Sequence, residues 1–113
     1  MRAHILAIWI AGLTACNGGE PLTVTTGTAP EYAWTGGDAC QLTVMHGDLE
    51  DGDYAWAIVD RSGDHIASPV THGQAPQGTE VLYDDEPELT EGETYTVFVQ
   101  WSDDTREALT FTP

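Results

Sequence analysis

The chain has no lysine. Its 113 residues carry three basic side chains, Arg2, Arg61 and Arg106, against nineteen aspartates and glutamates, for a formal net charge of −16. Binding a phosphate backbone requires Lys and Arg to neutralise it and release its counterions, so nucleic-acid binding is excluded. Adhesion to anionic headgroups by charge is excluded on the same ground. Cysteine is equally scarce: Cys16 and Cys40 are the only two, which rules out a disulfide framework. No apolar run approaches the roughly 20 residues that a membrane-spanning helix needs. Catalytic motifs are missing too. No G-x-S-x-G surrounds Ser62 or Ser68, and His46, His65 and His72 are spaced unlike H-E-x-x-H or a Cys/His finger. The expectation is a protein that is not an enzyme.

What is there begins at the N-terminus. Arg2 precedes a short apolar stretch, Ile5 to Leu13, which ends in Leu13-Thr14-Ala15-Cys16. A positive start, an apolar centre and small residues before a cleavage point make a secretory signal peptide. These four residues resemble the lipobox of bacterial lipoproteins, with Leu, Thr and Ala at −3, −2 and −1 and Cys at the new N-terminus. The resemblance implies that 1–15 are removed and that Cys16 carries diacylglycerol and an acylated amine. Each buried methylene contributes about 0.8 kcal/mol, and two or more chains make attachment stable. In the sorting logic of many double-membrane bacteria, Asp after the Cys favours the inner membrane. Asn17 stands there, which favours the outer membrane.

Removal of 1–15 takes away Arg2 and leaves two arginines against nineteen acids, a formal −17. Residues 16–21, Cys16 followed by Asn-Gly-Gly-Glu-Pro, read as a short polar tether. Its five residues after the cysteine span at most about 18 Å, so the folded part stays close to the bilayer. Residues 22–113 suffice for one domain that buries roughly 60–65% of its unfolded surface.

From Leu22 onward, apolar residues alternate with polar residues or threonine. Val, Thr, Tyr and Trp are abundant, and Gly, Pro and Asp break the pattern every eight to twelve residues. This is an all-β signature. Strands are predicted near 22–26, 31–35, 40–46, 54–60, 65–67, 79–83, 94–101 and 107–112. Turns are predicted at Gly36-Gly37-Asp38, Ser62-Gly63-Asp64 and Asp103-Asp104, the last joining the final two strands as a tight hairpin.

The segment Leu89-Thr90-Glu91-Gly92-Glu93-Thr94-Tyr95 and the alternating run after it resemble the tyrosine corner and strand F of the fibronectin type III family. In that family a Tyr six residues after a Leu bonds back to nearby backbone. Upstream, Ala33-Trp34-Thr35-Gly36-Gly37 followed by Leu42-Thr43-Val44 resembles the strand B Trp and strand C. The resemblance implies a single antiparallel β-sandwich of seven to eight strands, fibronectin type III or immunoglobulin-like, with an extra hairpin at Ser62-Gly63-Asp64. It identifies no site.

Trp34, Tyr95, Val97, Val99, Trp101, Leu109 and Phe111 have the parity of a core between two sheets. Cys40 shares the parity of Leu42 and Val44 and reads as a small buried residue. Phe98 has the opposite parity. Beside Met45, Thr43 and Thr110 it marks a candidate contact face on the solvent side.

Carboxylates gather in two stretches, Gly47 to Asp53 and Asp84 to Glu88. In the implied sandwich both lie at the pole opposite the start of the first strand. Solvation and repulsion of anionic lipid explain such a pole. The sharper alternative is a Ca²⁺ site built from Asp48, Glu50, Asp51, Asp53, Asp84 and Asp85, which needs six to eight oxygen ligands. No other cofactor is expected. Two functions follow. The first is a lipid-anchored, non-catalytic binding or accessory module for an envelope protein or glycan. The second is an acidic surface coat without a specific partner.

Overall fold

β-Branched and aromatic residues at every second position make strands half-buried on one face, and eight such strands pair here into two sheets. The structure, a computed structural model, describes residues 22–48 and 52–113. The strands are β1 (Leu22–Val24), β2 (Glu31–Trp34), β3 (Gln41–His46), β4 (Asp53–Val59), β5 (Val70–Thr71), β6 (Glu80–Tyr83), β7 (Tyr95–Gln100) and β8 (Arg106–Phe111). One sheet has the order β1-β2-β5 and the other β6-β4-β3-β7-β8. Every pairing is antiparallel. The described residues contain no helix. The protein is thus an all-β structure of two antiparallel sheets, as a β-sandwich requires.

The core lies between the sheets. Leu22, Tyr32, Trp34 and Val70 of the smaller sheet face Leu42, Val44, Trp56, Ile58, Tyr95, Val97 and Val99 of the larger, with Trp101 beside them. Each fully buried large side chain of this set contributes about 1.5–3 kcal/mol. Leu109 and Phe111 pack against the cluster while partly exposed. The two tryptophans at one end share an acceptor: the indole N–H groups of Trp34 and Trp101 both donate to Gly37 O, at 2.9 and 3.2 Å. Gly37, at φ +94°, holds the left-handed conformation that turns its carbonyl toward them.

The last hairpin is tight. Trp101 N–H donates to Thr105 O, and Asp104 takes φ +71° while its N–H donates to Trp101 O. The Asp103 carboxylate accepts from the N–H and hydroxyl of Thr105. Aspartate tolerates the left-handed region and caps its own turn, so the pair of acids is a local solution to a local demand.

Two predictions about the middle of the chain are corrected. Residues 65–67 do not form a strand, and 62–64 do not form an extra hairpin. Ile66 makes only a single antiparallel bridge with Ala39, and the strand that pairs with β2 comes later, at Val70–Thr71. Pro69 has no N–H to give to a ladder. At that point the sheet substitutes a side chain, with Trp34 N–H donating to Ser68 Oγ at 2.9 Å. Cys40 is half-buried rather than fully buried.

Candidate functional site

The ends of the sandwich differ in chemistry. At one end Leu22 pairs with Trp34, and Trp34 and Trp101 converge on Gly37. The chain therefore enters the described fold at the tryptophan end. At the other end His46 pairs with Asp53 and with Tyr95, and Tyr95 pairs with Phe111. The acidic stretch after β3 begins here. The second acidic stretch, after β6, folds onto the same end, because Glu86 N–H donates to Ala55 O and Glu86 accepts from His46.

His46 organises this acidic end. Its Nδ1 lies 2.8 Å from Glu86 Oε2 and its Nε2 lies 3.1 Å from Glu93 Oε1. Two carboxylates facing both ring nitrogens call for two N–H donors, which only the imidazolium supplies. The hydrogen bonds from Glu86 and then Glu93 accordingly raise the His46 pKa above its ordinary value, against a smaller opposing effect of burial. The ring stacks on Tyr95 with centroids 4.5 Å apart. The Tyr95 hydroxyl donates to Glu86 Oε1 at 2.7 Å and accepts the Thr90 N–H at 2.8 Å. Burial is the main cause of the raised Tyr95 pKa.

A second histidine lies beneath the first. His72 is buried. Its Nε2 is 2.7 Å from Glu86 O, a carbonyl that can only accept, so the proton sits on Nε2 and the Nδ1 lone pair accepts the Tyr32 hydroxyl at 2.8 Å. Burial lowers the His72 pKa and raises that of Tyr32. Glu86 thus serves a charged histidine with its side chain and a neutral one with its backbone.

Of the residues considered for Ca²⁺, Asp48, Asp53, Asp84 and Asp85 border this end, while Glu50 and Asp51 lie outside the described residues, as does Cys16. Among the described residues no group of three His, Cys, Asp or Glu side chains is arranged to hold a metal ion. Glu86 and Glu93 approach opposite nitrogens of one ring, and the imidazole occupies the space between them.

The contact face expected around Phe98 is closed. Phe98 and Met45 do point away from the core, in adjacent rows of the large sheet, yet they are only 8% and 7% exposed. The Arg106 guanidinium lies over the Phe98 ring, 5.1 Å from its centroid. Thr43 and Ala108 pair with Phe98 on either side. In the middle of a five-stranded sheet, neighbouring side chains cover a ring that alternation alone assigns to solvent.

The exposed apolar surface lies elsewhere. Tyr54, Val81, Leu82 and Tyr83 are the exposed large hydrophobic residues among those described, at 44%, 44%, 36% and 41%. All four belong to β4 or to the edge strand β6. The rings of Tyr54 and Tyr83 stack face to face, 4.2 Å apart and 6° from parallel. A register shift opposite Ala57 and Ile58 makes Leu82 the extra residue of a bulge. The run 79–83 reads as a strand in the sequence; that it forms a sheet edge, and lies beside β4, depends on pairing that no local pattern encodes.

A further polar cluster forms just after β4. Asp60, Ser62 and His65 come together, but Ser62 N–H and Oγ–H both donate to Asp60 Oδ1, at 2.9 and 2.6 Å, and His65 Nδ1 faces Asp60 Oδ2 at 3.1 Å. The serine proton is donated to the aspartate in an Asx turn, and His65 Nδ1 lies 3.2 Å from Ser62 Oγ as well as 3.1 Å from Asp60 Oδ2. Burial, then Asp64, raises the Cys40 thiol pKa, which disfavours the reactive thiolate. Comparison with protein-family models, with curated proteins and with solved structures finds no match to this chain.

Proposed function

We propose that the mature chain is a lipid-anchored cell-envelope protein that acts as a non-catalytic binding or accessory module, with the β4–β6 edge as its contact surface. The observation that carries this reading is the polarity of the fold. Leu22 enters at the tryptophan end, whereas the stacked tyrosines run into the acidic end, with Asp84 directly after Tyr83. Cys16 precedes Leu22 by six residues, a reach of about 20 Å. A lipid on Cys16 sets the tryptophan end toward the bilayer and directs the acidic end and its aromatic flank outward. Asn17 favours the outer membrane. The Tyr95 hydroxyl bond to Thr90 N–H and the three-plus-five arrangement of strands support kinship with fibronectin type III and immunoglobulin-like domains.

An acidic coat without a partner is the second reading, favoured by the great excess of carboxylates over arginines. The gathering of every described exposed large hydrophobic side chain on one edge favours the module, because scattered apolar residues are normal on any surface and a cluster is not. Photo-crosslinking in cells tests the choice, with a photoreactive residue at Leu82 and a control at Asp38, in the wild-type and Cys16→Ser backgrounds. A discrete adduct at Leu82 alone that requires Cys16 is the expected result. Equal smears at both positions sink the module and leave the coat.

A further inference from the structure

Building on the binding-module reading, we infer that the β4–β6 edge docks a cationic polypeptide segment, one that lays lysine or arginine side chains across the Tyr54–Tyr83 pair.

Charge complementarity selects this occupant. The apolar patch is bracketed by acid: Asp53 precedes Tyr54, Glu80 opens β6, and Asp84 and Asp85 follow Tyr83. Among the described residues there are two arginines, and each is already engaged. Arg61 Nε is 2.6 Å from Glu80 Oε1, and Arg106 lies over Phe98 at the opposite edge of the sheet, on β8. No lysine exists to supply a third cation. A second copy of this chain would bring its own excess of carboxylates and is repelled, and an anionic glycan or lipid is repelled for the same reason. A cation gains twice, from the ring faces of the tyrosines and from the carboxylates around them.

The bulge at Leu82 and the shortness of β6 also limit the mode of binding. Short, bulged edges resist the addition of another strand, so the segment engages through side chains. Its aliphatic stems and apolar neighbours cover Leu82 at the bulge while its charged heads reach the rings and carboxylates.

The test uses the full lipidated chain in phosphatidylcholine nanodiscs and a short fluorescein-labelled peptide alternating lysine and valine, read by fluorescence anisotropy. The expected result is saturable binding that weakens at least about fivefold in Tyr54→Ser/Tyr83→Ser. Asp84→Asn/Asp85→Asn should weaken it comparably, whereas Asp38→Asn at the tryptophan end should leave it unchanged. Affinity should fall as salt shortens the Debye length from about 10 Å at 0.1 M to about 3 Å at 1 M. Binding that survives loss of both tyrosines, or that Asp38→Asn weakens as much as the other variants do, is diffuse attraction and overturns the proposal along with the module. Failure of the lysine peptide together with tyrosine-dependent binding of chitohexaose overturns the cationic partner and leaves the module intact. Failure of both probes overturns the cationic partner, and the crosslinking at Leu82 then decides the module separately.

Discussion

His46 and Glu86, forty residues apart, meet at 2.8 Å and tie the end of β3 to the loop after β6. Without that contact the two acidic stretches have every electrostatic reason to separate. The imidazolium is the positive charge among the described residues that bridges them, with Glu93 on its other nitrogen.

Stability should therefore depend on pH through His46. Its folded pKa is raised above the ordinary 6.5, so the folded state holds the proton more tightly than the unfolded chain. The stabilisation is complete below 6.5 and is lost as pH rises from there through the higher folded value. The ring is about one-third exposed, at 34%, which limits the contribution to about 1 kcal/mol or less. Thermal unfolding followed by circular dichroism should show the melting temperature falling across this alkaline window in wild type. In His46→Gln that fall should be absent; a persistent one assigns the dependence to another group.

His72 should act with the opposite sign. Burial lowers its folded pKa below 6.5, so its contribution is present above 6.5 and is lost as pH falls from there toward the lower folded value. Protonation would also place charge between Tyr32 and Trp56, whose ring is 4.9 Å away. The same melts on the acid side should flatten in His72→Gln, at a cost in overall stability of about 1–3 kcal/mol from the disturbed bonds to Tyr32 and Glu86. An unaltered acid slope in that variant removes His72 from the account.

The alternation of side chains was enough to read seven of the eight strands and most of the core, because period-two patterning is local and inward parity survives almost any pairing. Trp34, Tyr95, Val97 and Val99 illustrate this. Pairing partners were not legible. Nothing near Glu80 announces that β6 lies beside β4, nothing near Phe98 announces that Arg106 covers it, and His46 finds Glu86 only after both strands are in place. Alternation alone therefore does not separate a covered outward-facing ring from an exposed one. Phe98 and Tyr83 both look outward in sequence, but Phe98 sits on a central strand and Tyr83 on an edge.

That distinction has a measurable consequence. Phe98→Ser removes a ring that is 92% covered, given its 8% exposure, and should cost about 2 kcal/mol while leaving partner binding unchanged in the folded fraction. Tyr83→Ser removes an exposed ring and should cost within about 0.5 kcal/mol while weakening binding. Urea titration together with the anisotropy assay separates the two effects, and a reversal of the pattern returns the contact face to Phe98.

Gly73 should not tolerate a side chain. It adopts φ +84°, and a Cβ there would lie 2.7 Å from Pro87 O, in the loop that carries Glu86. Left-handed strain costs roughly 1–2 kcal/mol and overpacking typically another 1–3. Gly73→Ala should lower stability by about 2 kcal/mol or more and disturb the His46–Glu86 contact, so that the alkaline dependence of His46 weakens too. Gly78→Ala provides the contrast, since it has a similar φ of +91° but open space around its Cβ, and should show the backbone strain alone.

Thiol counting tests the anchor and the core together. The chain has two cysteines, and a thioether at Cys16 would consume one of them, which leaves Cys40 as the single titratable thiol of the mature protein. Cys40 is half-buried, and burial and Asp64 hold its pKa above the usual thiol value, so little thiolate forms near neutral pH. Maleimide should react slowly with the native membrane-bound protein and then label one thiol per chain once guanidinium unfolds it. Cys40→Ala should give none. Two labels per unfolded chain mean that Cys16 is unmodified, and the anchored orientation of the sandwich loses its basis. Rapid labelling of the native protein leaves the anchor standing and shows instead that the environment of Cys40 opens readily.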